Sequence, residues 1–168
     1  MTMKKALVLF IAILVSGCAM AQMVPVDTDL PQPYKGGVEA MKQFFKDSTQ
    51  VTPAIQKAKA SGMVIFKFTA DTKGVISKIV VYYADDLILT EPVIEVLKRT
   101  NGRWIVPADH KFYDFILPFS INFKPESAPR PSELKAILDF NQVRKPIIAH
   151  DQVPLNAATL LPTIVINY

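Results

Sequence analysis

Alternation of apolar and polar residues is clearest over residues 62–83, GMVIFKFTADTKGVISKIVVYY. Val64, Phe66 and Phe68 fall on one side of a pleat and Ile65, Lys67 and Thr69 on the other, the period-two pattern of a half-buried strand. Asp71-Thr72-Lys73-Gly74 then supplies turn chemistry, with Gly74 free to take a positive φ, before a second β-branched and aromatic run begins at Val75. The pattern predicts an antiparallel hairpin. A hairpin alone is marginal in water, so neighbouring segments must add a third strand and cover the apolar face.

The period changes on either side. Ala40, Met41, Phe44 and Phe45 recur at the spacing that lines one side of a helix, led in by Gly36-Gly37. Thr52 and Pro53 read as N-cap and first position of a short helix carrying Ile55 and Ala58, with Gly62 expected to stop it. After the hairpin, Asp85-Asp86 marks a surface loop. Thr90 is the expected N-cap of a helix with Leu89 and Ile94 as its hydrophobic staple, Val93, Val96 and Leu97 as its buried side and Asn101-Gly102 as its stop. Trp104-Ile105-Val106-Pro107-Ala108 leads to residues 112–123, where Phe115, Leu117, Phe119, Ile121 and Phe123 alternate with Asp114, Ile116, Pro118, Ser120 and Asn122. This is the expected third strand, and Pro118, which has no N–H for a ladder, argues for an edge position or a bulge. Beyond it, residues 124–131 form a proline-bearing linker. Ser132 is the expected cap of a short helix with Leu134, Ile137 and Leu138 on one side, and residues 163–168 read as a terminal strand. These last 45 residues should pack back onto the domain or pair with its edge.

The order and residues of these elements resemble the TonB C-terminal domain family, in the form common in Bacteroidetes-type envelopes. The likeness lies in Gly36-Gly37 before Glu39-Ala40 and Phe44-Phe45, and in the hairpin form G-x-V-x-F-x-F-x-x-D-x-x-G-x-I from Gly62. It continues in Trp104-x-x-Pro107-Ala108 before Leu117-Pro118-Phe119-x-Ile121-x-Phe123. It covers residues 34–123. The resemblance implies an α+β fold, a three-stranded antiparallel sheet with two helices on one face, followed here by a C-terminal extension over residues 124–168. It also implies a partner, an envelope protein or receptor peptide added as a strand along Asp114, Phe115, Ile116, Leu117, Pro118, Phe119 and Ser120. Three features depart from full energy transducers of the family. The tether, residues 22–33, spans only about 40 Å even fully extended, too short to carry force across an envelope. Thr52-Pro53 stands where a Tyr-Pro pair is usual, and Asp109-His110-Lys111 where a glycine usually follows the Trp-Pro-Ala segment. The competing expectation is that residues 163–168, or a second copy in a homodimer, already fill that edge. The chain would then be a structural or regulatory envelope lipoprotein.

Residues 1–21 read as an export leader: a short basic start, an apolar run from Ala6 to Val15 and Ala19-Met20-Ala21 before Gln22. Val15-Ser16-Gly17-Cys18 also fits a lipobox with Cys18 as the lipidated residue, and an uncleaved anchor is the third reading. All three place the domain outside the cytoplasm, periplasmic or attached to the outer membrane, with membrane contact only through that anchor. Cys18 is the single cysteine of the 168 residues, so the domain gains nothing from disulfides or thiolate chemistry. Half the chain is hydrophobic, which suits one folded domain with a core. The formal charge of +4 falls to +2 once Lys4 and Lys5 of the leader are set aside, too small a balance to imply nucleic acid.

The sequence offers little catalytic chemistry. His110 and His150 each neighbour an aspartate, Asp109 and Asp151, but sit in no catalytic or metal-ligand spacing. Asp85-Asp86 lacks further oxygen ligands nearby for Ca²⁺. Trp104 reads as a core plug rather than a binding aromatic. The expectation is a non-catalytic protein with no metal and no cofactor.

Overall fold

In the computed structural model residues 32–150 and 158–168 are described; the leader, Cys18, nearly all of the tether and Asp151 lie outside them. The hairpin forms as its pattern requires. Strand β1 (Gly62–Asp71) pairs antiparallel with β2 (Ile76–Ala84), and two register shifts bend the pair. Asp71 organises the turn: its Oδ1 accepts from the Lys73 and Val75 amides, both at 2.9 Å, while Gly74 takes φ 76°. Strand β3 (Phe112–Asn122) pairs antiparallel with the other side of β1, placing Val64 opposite Phe119, Phe66 opposite Leu117 and Phe68 opposite Phe115. All six are almost completely buried, forming the apolar face that the helices cover.

Helix α1 (Gly37–Ser48) enters this core through Met41 and Phe45, and the Phe45 ring meets Phe119 edge-on at 5.2 Å. Helix α2 (Pro53–Ala58) is capped by Thr52, whose side chain accepts from the Ile55 amide at 3.4 Å, and buries Ile55. Lys59, at φ 51°, ends α2 in place of the expected Gly62. Gly62 serves a different need. A Cβ there would fall 2.7 Å from Asp85 Oδ2 and 2.9 Å from Leu89 Cδ1, so close approach selects glycine.

A single 3₁₀ turn (Leu87–Leu89) leads into α3 (Glu91–Lys98), which buries Val93, Val96 and Leu97. Thr90 does not cap α3 through its side chain as expected, because its hydroxyl donates to the Leu87 carbonyl at 2.8 Å. Trp104 is the expected core plug, 2% exposed, with Nε1–H donating to Thr100 Oγ1 at 2.8 Å. Tyr34 packs edge-on against it at 5.1 Å, and the two residues form an antiparallel bridge. That contact fastens the start of the domain to the segment before β3.

The fold is α+β, but the sheet is not the expected three-stranded one. It is mixed and six-stranded, and four α-helices lie among the described residues. Helix α4 (Pro131–Val143) begins after Arg130, not Ser132; the Glu133 carboxylate accepts from the Arg130 amide at 3.0 Å. It turns Phe140 inward, keeps Ile137 half-buried and leaves Leu134 and Leu138 exposed, so the packed side is rotated from the one expected. Strand β4 (Ile147–Ile148) joins the outer end of β2 at Tyr83 and Ala84. Strands β5 (Ala158–Leu160) and β6 (Ile164–Asn167) both run parallel to β3 on its far side. The extension therefore belongs to the same compact unit as the rest of the domain.

Candidate functional site

The structure makes β3 an inner strand. Asp114, Phe115 and Ile116 pair with Ala158, Thr159 and Leu160 of β5, while Phe119 and Ser120 pair with Ile164 and Val165 of β6. The edge expected to be open for a partner is closed by the chain's own tail. The physical reason lies in the tail's composition: Ile164 and Ile166 continue the apolar face next to Phe119 and Ile121, and both are buried.

Pro118 explains how the tail passes. The Leu161 amide donates to the Ile116 carbonyl at 2.8 Å and the Tyr168 amide to the Asn122 carbonyl at 3.1 Å, so the even-numbered residues of β3 turn their backbone groups to the tail. The N–H missing at Pro118 would point the same way. Just after Leu161 the tail leaves the ladder, and it re-enters at Ile164 one residue out of step. Pro118 thus marks an interruption between two short ladders, where no donor is needed.

The seven residues expected to meet a partner are all engaged within the domain. Phe115, Leu117 and Phe119 are core side chains, with Phe115 stacked on Phe68 at 5.4 Å. On the opposite face Asp114 accepts from the Thr69 hydroxyl at 2.6 Å and lies 3.4 Å from the Lys67 ammonium. Ile116 is 9% exposed, Pro118 is buried opposite Ile65, and the Ser120 hydroxyl donates to Asn122 Oδ1 at 3.3 Å.

The candidate polar residues separate rather than converge. His110 stands beside Asp109 Oδ1 at 2.8 Å on the surface, a contact that holds the Asp109 carboxyl below the usual carboxylate range. His150 is exposed. Asp85 and Asp86 are ties within the fold. Asp85 accepts from the Met63 amide at 2.7 Å and the Tyr83 hydroxyl at 2.6 Å. Burial works to raise the Asp85 pKa, but the Tyr83 hydroxyl, the Met63 amide and Arg144 outweigh it and hold the carboxyl low. Asp86 accepts from the Ile88 amide and from the Lys145 amide, each at 3.1 Å, fastening the end of α4 to the 3₁₀ turn. Among the described residues no three His, Cys, Asp or Glu side chains gather as a metal site, and no helix is long and apolar enough to cross a membrane.

Closure of β3 moves the open edge of the sheet outward. On this side it is now β5 and β6. Beside β6 lies a groove of about 700 Å³, walled by the end of α1 and the loop to α2 through Lys46, Thr49, Gln50, Val51 and Gln56. A second groove, about 620 Å³ and mostly apolar, separates α2 from α4 around Ala58, Ile88, Phe140 and Val143. The groove beside β6 could not be found from sequence, because none of its wall residues forms a motif. The one usable signal was the terminal β-branched run Ile164-Val165-Ile166. Comparisons with family models, with curated proteins and with solved structures find no match for this chain.

Proposed function

We propose that this chain is an exported, non-catalytic module of the cell envelope with a TonB C-terminal-like core, acting as a structural or regulatory protein whose principal sheet edge is self-occupied. One observation carries the reading: β3 is paired on both sides, with β1 on one flank and with β5 and β6 on the other. A peptide added at this strand needs the outward backbone groups of Asp114, Ile116 and Ser120, and the tail engages that side. The order α1, α2, β1, β2, α3, β3 supports the likeness to the family. Periplasmic or outer-membrane attachment is part of the same proposal, through the leader and through lipidation of Cys18. Acyl labelling in cells that disappears in Cys18→Ser tests that part.

The second reading is a partner peptide at Asp114 through Ser120 that exchanges with the tail, favoured by the break in the outer ladder at Pro118. Hydrogen exchange on the whole chain separates the two. Self-closure predicts that the Ile116 and Ser120 amides exchange as slowly as those of Phe66 and Phe68, opening only with the global fold. Exchange within minutes at neutral pH, as at a solvent-facing edge, would overturn it in favour of the exchanging peptide.

A further inference from the structure

The tail strand that closes β3 has an outer side of its own. Tyr168 turns both backbone groups toward β3, its amide donating to Asn122 and its carbonyl accepting from the Lys124 amide at 2.9 Å. Strand alternation then turns Ile164 and Ile166 the same way, and Val165 and Asn167 outward. No strand pairs with that outer side among the described residues, and the Val165 side chain is 41% exposed.

The groove beside this edge has a definite chemistry. Thr49 and Gln50, where α1 ends, form part of its wall. Lys46, in the last turn of α1, has no carboxylate within ion-pair distance among the described residues, although the Glu39 carboxylate of the same helix feels its charge. Gln50, Gln56 and Asn167 add side-chain amides, and no Asp or Glu lines the space. The site therefore combines outward backbone pairs, side-chain amides and a cation that no carboxylate of the groove neutralises.

We propose that the outer edge of β6 and this groove dock an extended, carboxylate-bearing segment of another polypeptide. The segment adds as a strand on Val165 and Asn167 and places an acidic side chain on Lys46. The inference rests on reading the chain as a non-catalytic envelope module whose principal sheet edge is self-occupied. A second copy fits less well, because two-fold pairing at β6 would oppose two grooves that each carry Lys46 and no carboxylate.

The test uses the whole chain and a capped hexapeptide of alternating threonine and valine with one central glutamate, against the same peptide with glutamine. Amide chemical shifts and fluorescence anisotropy are the readouts. The expected result is perturbation of Val165, Asn167 and Thr49 and at least about tenfold tighter binding of the glutamate peptide. Lys46→Ala should remove that preference, and Val165→Pro should abolish binding while leaving the melting temperature nearly unchanged, since its N–H faces outward. Equal binding of the two peptides, or no perturbation at β6 at millimolar peptide, would overturn the proposal. So would a dimer in sedimentation that Val165→Pro dissociates, since the edge would then belong to a second copy. Binding that instead perturbs Ile116 and Ser120 would overturn this site while leaving a binding module that works by tail exchange.

Discussion

The Tyr168 hydroxyl donates to the Ala60 carbonyl at 2.8 Å, with the Ile55 carbonyl at 3.1 Å sharing the contact. Tyr168 thus satisfies the Ala60 carbonyl between α2 and β1 and adds to the Ile55 carbonyl, which already accepts from the Ala60 amide at 3.1 Å. Removing it should be felt by the whole fold. Tyr168→Phe keeps the ring, which packs against Phe123 at 5.7 Å, and is expected to lower stability by about 1 to 2 kcal/mol in urea unfolding.

Alkaline pH acts on the same group. Burial pushes the Tyr168 hydroxyl up to about 12, against an ordinary value of 10.0. A folded-state value above the unfolded one means that its contribution is complete below pH 10 and is lost as pH rises toward 12. The expected loss is about 1 to 2 kcal/mol after allowing for solvent screening of a half-buried ring. The Tyr83 hydroxyl shifts the same way through its bond to Asp85, so Tyr168→Phe should flatten the alkaline fall only in part. Urea midpoints measured from pH 8 to pH 11.5 on both proteins give the comparison.

Closure of β3 should have a measurable energy. Ile164 is fully buried against the sheet, and Ile164→Ala is expected to cost about 2 to 4 kcal/mol and to speed exchange of the Ser120 amide. Val165→Ala, on the exposed side of the same strand, should stay within about 0.5 kcal/mol. Equal effects at the two positions would mean that β6 is not docked as described.

Two glycines should fail for different reasons. Gly62→Ala drives a methyl into Asp85 and Leu89, and Asp85 is held in place by the Met63 amide and Tyr83, so about 1 to 3 kcal/mol is expected. Gly102→Ala meets nothing within 4 Å, and its cost is the φ of 79°, about 1 kcal/mol. Thermal unfolding should therefore rank Gly62→Ala as the worse.

Asp86 ties the 3₁₀ turn to the chain leaving α4. Asp86→Ala releases the Ile88 and Lys145 amides and should cost about 1 to 2 kcal/mol. Its diagnostic effect is faster exchange at the Ala149 amide, which donates to the Tyr82 carbonyl at 3.0 Å where β4 joins β2.

The elements that were legible share one property, a pattern contained within a few residues. Val64, Phe66 and Phe68 alternate inside β1, Asp71 and Gly74 make their turn locally, and Thr52 caps a helix three residues away. Where a choice depended on a distant partner, local pattern misled. Of Leu134, Ile137 and Leu138, the expected packing side of α4, only Ile137 turns partly inward, and Phe140 is the residue buried beside α2 and the 3₁₀ turn. The groove residues Lys46 and Thr49 belong to a helix end, and only the return of β6, more than a hundred residues later, gives them a strand to face.

By itself the sequence determined the hairpin, the third strand, the helix positions and the core aromatics, since burial periodicity and turn chemistry act over short distances along the chain. Tertiary structure alone decided which edge of the sheet stays open. A strand's outward amides carry no mark in its own residues: whether Ile116 and Ser120 bond to a partner or to the molecule's own tail depends on where residues 158–168 return. That return depends on the apolar face presented jointly by Phe119, Ile121, Ile164 and Ile166.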